Sequence, residues 1–426
     1  MSVWRRPALV GLAGKGVELL TLVPLVTVLP RFFGPADYGD FALALSVVTL
    51  SSASVALGGP TLVSRYVAAA PDGDRRALAL ALGLRSVVWR LALGVVVAVV
   101  ALIALATDSA TPSGAVLAFV LLAFLLDVVA TVVFQTGLAV GQVTLWSARY
   151  PVQNTVLVVV ALCGYAVFGL VGAMAALPVS SGFALAQGLA GVAPAFRNVR
   201  PRRSLPAGVG RFAVIQGLSG ALVQLVHRGP VLFVALLGAG AAETGYAALA
   251  TGVALAATYA VWQAFAVELP RLAALGVGAD IRSTSRLAWA ALAMLTPLAA
   301  LGAVLAQPLV PLLAGERYRP AATTLGLALA ILPLAPIGAA VNQAAALRYR
   351  PELRFASAAA GAAAFVISCL LLVPSLEAEG GAAALVVGSA AAALVGGIAV
   401  SDALGRLLPA ASLASAGVVV LIAVAV

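Results

Sequence analysis

Residues 12–68 read LAGKGVELLTLVPLVTVLPRFFGPADYGDFALALSVVTLSSASVALGGPTLVSRYVA, and residues 218–274 read LSGALVQLVHRGPVLFVALLGAGAAETGYAALATGVALAATYAVWQAFAVELPRLAA. The second stretch follows the first at an offset of 206, close to half of the 426 residues. Aligned without a gap, 16 of 57 positions are identical, against roughly six expected from so apolar a composition. Gly14 falls on Gly220, Pro24 on Pro230, Gly34 on Gly240, Gly39 on Gly245 and Arg65 on Arg271, and Asp37 meets Glu243. Glycine and proline matches weigh more than alanine or leucine matches, because each fixes a backbone conformation. The chain reads as two copies of one membrane unit, an arrangement that points to a transporter.

The surrounding sequence supports that frame. A mean hydropathy of +1.12 with 9% charged residues excludes an ordinary soluble domain. Apolar runs recur at 8–30, 40–63, 84–106, 114–139, 151–170, 172–193, 211–237, 245–267, 287–312, 321–346, 355–374 and 382–401. Each is long enough for a bilayer-crossing helix, and the runs are continuous rather than alternating, which excludes a barrel. The expectation is an all-α integral membrane protein of about twelve transmembrane helices in two six-helix lobes, residues 1–196 and 211–406. A basic cytoplasmic linker, 197–210, joins them, and residues 407–426 form an apolar tail whose last run, 413–426, ends too early to span comfortably. Six helices per copy put both copies in the membrane the same way up, with a cavity between the lobes. Because the span after Trp4-Arg5-Arg6 contains Lys15 and Glu18, it reads as a retained helix rather than a signal peptide.

The net charge of +10 is not a nucleic-acid footprint. With the N-terminus inside, twenty of the 24 arginines, Arg90, Arg149 and Arg354 among them, fall on the cytoplasmic side, and only Arg31, Arg317 and Arg319 fall outside. That bias sets the topology. The tryptophans at 4, 89, 146, 262 and 289 lie near cytoplasmic helix ends, as an interfacial belt requires. Arginine in place of lysine, with the Ala/Gly/Val richness, suggests a GC-rich bacterium, and so a bacterial cytoplasmic membrane. Cys163 and Cys369 lie inside spans in different halves and read as buried thiols, not a disulfide or a metal site. No cofactor is expected. The outward loops, 31–39, 107–113, 238–244, 313–320 and 375–381, are too short for a catalytic domain, so the chain is not expected to be an enzyme.

Charge inside a span is costly and usually faces a cavity. Lys15 and Glu18 share one face of the first helix and can neutralise each other. Asp127 sits in the fourth span with Thr131 and Gln135 at i+4 and i+8, a polar stripe suited to a proton or sodium ion or to a hydrogen-bonded structural carboxylate. Gln216, Gly220, Gln224 and Arg228 are spaced by four along the seventh, with His227 adjacent. Arg228 offers a bidentate fork to phosphate or carboxylate, and His227, the one histidine, is a possible relay. Pro24 and Pro230, the latter beside Gly229, each remove a helix hydrogen bond and mark hinge positions or static kinks.

At this point the chain resembles a known family. Phe32-Phe33-Gly34-Pro35-Ala36-Asp37-Tyr38-Gly39-Asp40-Phe41-Ala42-Leu43-Ala44 is similar to the first outer loop and second helix of the polysaccharide-biosynthesis flippases. These form a branch of the multidrug/oligosaccharidyl-lipid/polysaccharide exporter superfamily. Ser64-Arg65-Tyr66-Val67-Ala68, Gly315-Glu316-Arg317-Tyr318-Arg319-Pro320-Ala321-Ala322 and Gly380-Gly381-Ala382-Ala383-Ala384 resemble further family segments, in order. The resemblance implies alternating access and a cationic cavity for a polyprenyl-diphosphate-linked saccharide. In that reading Arg228, Lys15, Gln224 and Gln216 bind substrate, Asp127, Glu18 and His227 couple a proton or sodium gradient, and Pro24, Gly229 and Pro230 bend. One departure is His227-Arg228, where many members carry an acidic residue before the arginine. Membrane lipids, and a polysaccharide polymerase or glycosyltransferases, are the implied partners of a monomer. The alternative is a cation-coupled exporter of small amphipathic or cationic drugs, for which Glu18 and Asp127 would supply the acid. A major-facilitator sugar transporter is disfavoured, because Asp72-Gly73-Asp74-Arg75-Arg76 lacks that family's spacing.

Overall fold

The structure is a computed structural model that describes residues 5–58, 62–63, 66–67, 70–106, 114–275, 277–348 and 350–426. Side chains at 5–13, 15, 98, 100–106, 260, 263, 266–275, 277–282 and 403 lie outside the described residues, so Lys15 is placed only by its backbone, within a helix.

Uninterrupted runs of Ala, Leu and Val give helices throughout, and no strand occurs among the described residues. They are α1 (Arg5–Ser54), α2 (Arg75–Ala106), α3 (Gly114–Ala139), α4 (Val143–Met174), α5 (Ala176–Phe196), α6 (Val209–Leu236), α7 (Ala241–Leu275) and α8 (Val277–Val304). After these come α9 (Ala306–Ala314), α10 (Ala321–Ala328), α11 (Ala335–Leu347), α12 (Pro351–Ala399), α13 (Ser401–Leu404) and α14 (Leu407–Ala425). Ten helices among the described residues are long and apolar enough to cross a membrane. The protein is a multi-pass helical membrane protein.

Adjacent spans are joined more tightly than the sequence suggested. The expected loops at 31–39 and 375–381 are helical except at Gly34 (φ 77°) in α1 and Glu377 (φ 48°) in α12. Gly169 (φ 62°) breaks α4 in the same manner. At each site one residue with positive φ turns the chain from one span into the next. Glycine tolerates this conformation and Glu377 adopts it at a cost. The tail also differs from expectation. α14 is a 19-residue helix, roughly 28 Å long at the usual rise, and it packs against α8 and α10. Starting at Leu407 rather than 413, it is long and apolar enough to cross.

The chain divides into two compact units, Met1–Leu22 with Val47–Ala221, and Val23–Ser46 with Leu222–Val426. In the first, α3 packs on α5, α4 and α2. In the second, α10, the 3-10 segment Leu329–Leu334 and α11 form a central rod, almost wholly buried against α7, α8, α12 and α14. The second unit also contains a contact between the repeats. A Cβ built at Gly39 would collide with the carbonyl oxygen of Ala241, and one built at Gly245 with that of Pro35. Gly39 and Gly245 are matched by the 206-residue offset, and so are Pro35 and Ala241. The two copies therefore cross through equivalent atoms, as a local two-fold requires, and at this distance only glycine fits.

Candidate functional site

The polar residues of the spans fall into three groups. The first lies in α3, α4 and α2. Arg149 donates through Nη2 to Asp127 Oδ1 at 2.9 Å and to Thr131 Oγ1 at 2.8 Å. Its guanidinium also lies over the rings of Tyr150 and Phe134, at 4.7 and 5.4 Å. Arg90 donates to Gln135 Oε1 at 3.0 Å. The stripe Asp127–Thr131–Gln135 is thus met in full by two arginines that the sequence had assigned to the cytoplasmic side. Both are buried, Arg149 1% exposed and Arg90 2%. One carboxylate faces two guanidinium groups, so the network carries net positive charge. Arg149 Nε and Nη1 and Arg90 Nε have no acceptor. The signal that could have found them is Asp127 itself. A carboxylate that deep needs a cation, and Arg149, about two turns into the next helix, is within a long side chain's reach.

Glu18 belongs to the same unit and is buried, and Thr21 Oγ1 donates to its backbone carbonyl at 2.8 Å. Asn154 in turn donates to Thr21 at 3.3 Å. Gln216, on the part of α6 in this unit, is buried and engaged in a contact.

The second group is the outward crossing. Tyr318, wholly buried, stacks edge-on between Tyr38 and Tyr246, with ring centroids 6.2 and 6.0 Å away. Tyr38 donates to the Leu25 carbonyl at 3.2 Å, and Tyr246 to that of Arg317 at 3.4 Å. Arg31 closes the end of α9, donating to the carbonyls of Leu312 and Leu313, where a cation suits the helix dipole. The segments around Gly34–Gly39 and Gly315–Pro320 that carried the family resemblance therefore meet at one place.

The third group surrounds a cavity of about 80 Å³ inside the second unit, between α6, α7, the rod and both arms of α12. Apolar side chains make most of its wall. The polar lining includes His227, Thr258, Trp262, Asn342, Arg354 and Ser357. Of the expected site residues, only His227 reaches it. Arg228, beside it and half-buried, is close enough to Tyr38 for their charges to interact. Gln224 is half-buried on the same helix. The positive-inside pattern places Arg354 among the cytoplasmic arginines. α6 runs unbroken through Gly229 and Pro230, and α1 through Pro24. Gly229 lies against the Phe365 ring, which leaves no room for a side chain there.

No family model matches the sequence, and no curated protein matches it. Solved structures do match in fold. The chain superposes on the lipid II flippase MurJ in its inward closed conformation with a TM-score of 0.72 at 9% identity, covering 98% of this chain and 96% of that one. A multidrug resistance MATE family transporter in its inward-facing conformation gives 0.62 at 15% identity, covering 95% and 98%. A MOP superfamily transporter from Pyrococcus furiosus gives 0.61 at 16% identity, covering 95% and 94%. Over nearly its whole length, then, the chain has the fold of the MOP superfamily of transporters. The same fold is solved outward-facing in a MATE transporter, at a TM-score of 0.61 and 17% identity, covering 95% and 94%.

Proposed function

We propose that the protein is a flippase that carries polyprenyl-diphosphate-linked saccharide units across a bacterial cytoplasmic membrane by alternating access. Its working parts would be two lobes, 1–196 and 211–406, joined by the basic linker 197–210. The observation that carries this reading is Arg228, a guanidinium on an apolar span beside the outward crossing. A permanent cation there favours an anionic head group and disfavours the cationic cargo of a drug exporter. The likeness to a lipid II flippase supports the same direction. Lys15, Gln224 and Gln216 would complete the head-group contacts, and Pro24, Gly229 and Pro230 would supply the bending.

Coupling would fall to Asp127, with Glu18 and His227 as further groups. Asp127 is held by Arg149, so a proton or sodium ion arriving there must displace that guanidinium. Such an exchange shifts the equilibrium between states only if one state favours it.

The test is reconstitution into liposomes with a fluorescent polyprenyl-diphosphate sugar and an impermeant quencher. Wild type should expose the lipid to the quencher, and Arg228→Ala should slow this on the order of tenfold or more, the value of one charge-assisted contact. Failure to move any such lipid, together with release of a cationic dye gradient, would favour the drug exporter.

A further inference from the structure

The cavity beside His227 is rich in donors and contains no acid. Arg354 enters it from the start of α12, and among the described residues no carboxylate or other acceptor engages its guanidinium. Its Nε is fully buried without a partner. Asn342 and Trp262, each with a side-chain N–H donor, also line the cavity. By contrast Ser357 is already committed, donating to the Ala392 carbonyl at 2.8 Å. Arg354 is half-buried, and a guanidinium whose Nε is shut away from any partner is costly in a membrane helix bundle. Its cost is relieved when an anion occupies the space in front of it.

The shape of the space restricts the anion. Three residues that carry donors, Arg354, Asn342 and Trp262, line the cavity from α12, α11 and α7, a set that can meet an oxyanion such as a phosphate from more than one side. About 80 Å³ holds such a group or several waters, and little more. The cavity takes the head alone, so a hydrocarbon chain attached to it would have to leave through the cavity's open side. From these features we infer that this cavity is a phosphate site within the second unit, one that takes the phosphate head of an amphiphile, with Arg354 as its electrostatic anchor and Asn342 and Trp262 as orienting donors. The site stands apart from Arg228, which does not line the cavity. It does not depend on the flippase reading, because a drug exporter with these residues would hold the same phosphate.

The test measures equilibrium binding to the full chain in detergent by native mass spectrometry and thermal shift. The probes are dioleoyl phosphatidate, uncharged dioleoylglycerol and inorganic phosphate. Wild type should retain phosphatidate and be stabilised by it, and dioleoylglycerol should do neither. Arg354→Met should weaken phosphatidate binding on the order of tenfold, and Asn342→Ala by a smaller factor. Arg286→Ala, which removes an exposed arginine that does not line the cavity, should leave binding unchanged. If inorganic phosphate binds as tightly as phosphatidate, the site stands and its ligand is the free ion. Unaltered phosphatidate binding in both Arg354→Met and Asn342→Ala overturns the proposal, as does equal binding of dioleoylglycerol. Should Arg354→Met not fold, Asn342→Ala and the dioleoylglycerol comparison still decide.

Discussion

In the first unit Arg149 reaches a carboxylate, a hydroxyl and two aromatic faces, while in the second unit Arg354 reaches no acceptor among the described residues. Both arginines lie within membrane-spanning helices, and both looked from the sequence like topology signals. The difference is in what neutralises them. Asp127 and Thr131 were built into the neighbouring helix for Arg149, so that charge is internal to the bundle and part of what holds α3 to α4. Arg354 opens on a cavity, so its charge remains available. The two arginines differ in depth as well as in partners, Arg149 being 1% exposed and paired and Arg354 half-buried on a cavity.

The largest effect should come from removing that acceptor. Asp127→Ala leaves two guanidinium groups buried with no carboxylate, and breaking a buried pair from one side costs about 3–5 kcal/mol. The thermal unfolding midpoint in detergent should fall sharply, and Asp127→Ala combined with Arg149→Met should recover most of the loss. Arg354→Met should act with the opposite sign in ligand-free protein, from neutral to a gain of about 2 kcal/mol, because it removes a charge that nothing neutralises. If both single changes destabilise equally, the contrast between the two units fails.

Much of this architecture was visible in the sequence. The spans, the duplication and the absence of strands follow from long apolar runs and from glycine and proline matches, and these are local properties. The tightness of the turns was less visible, because the polar residues around Gly34 and Glu377 look like loops yet sit in helix with one residue at positive φ. Side-chain partnerships were least visible. Arg90, Arg149 and Arg354 lie near span ends, where the positive-inside pattern accounts for arginine without a contact. Only the fold shows which of them turn inward. The stripe Asp127–Thr131–Gln135 was seen but its partners were not, and the cavity could not be seen because its lining comes from four helices distant in sequence.

A second contrast sets the outward crossing against the cavity. The crossing is symmetric between the repeats, through Gly39 and Gly245, whereas the cavity is not, since Thr21 occupies the position matching His227. Gly39→Ala and Gly245→Ala should each force backbone apart, at about 1–3 kcal/mol. The two should match one another, and the double change should cost less than their sum, because the first displacement makes room for the second. Thermal midpoints of the three variants, with hydrogen exchange over residues 35–46 and 241–250, check this. A harmless Gly245→Ala beside a damaging Gly39→Ala would show that the contact is not a symmetric one.

The smallest effect belongs to Glu243, the repeat partner of Asp37, in the outward loop. Burial raises its carboxyl above the usual range, and the nearby Glu377 and Glu379 charges add to this, while the Ala378 N–H opposes it. The folded protein therefore holds this proton more tightly than the unfolded chain does. Stability carries no penalty from Glu243 below its unfolded value of about 4.3. The penalty then grows as pH rises toward the raised folded value and stays constant above it. Glu243→Gln should abolish that part of the pH dependence. Its thermal midpoint should match wild type near pH 4 and exceed it at pH 7.5 by no more than about a degree or two, since solvent screens a half-exposed carboxylate. A midpoint lower than wild type at pH 7.5 would mean that the Ala378 hydrogen bond outweighs the repulsion from Glu377 and Glu379, and that the charged form of Glu243 holds the outward turn in place.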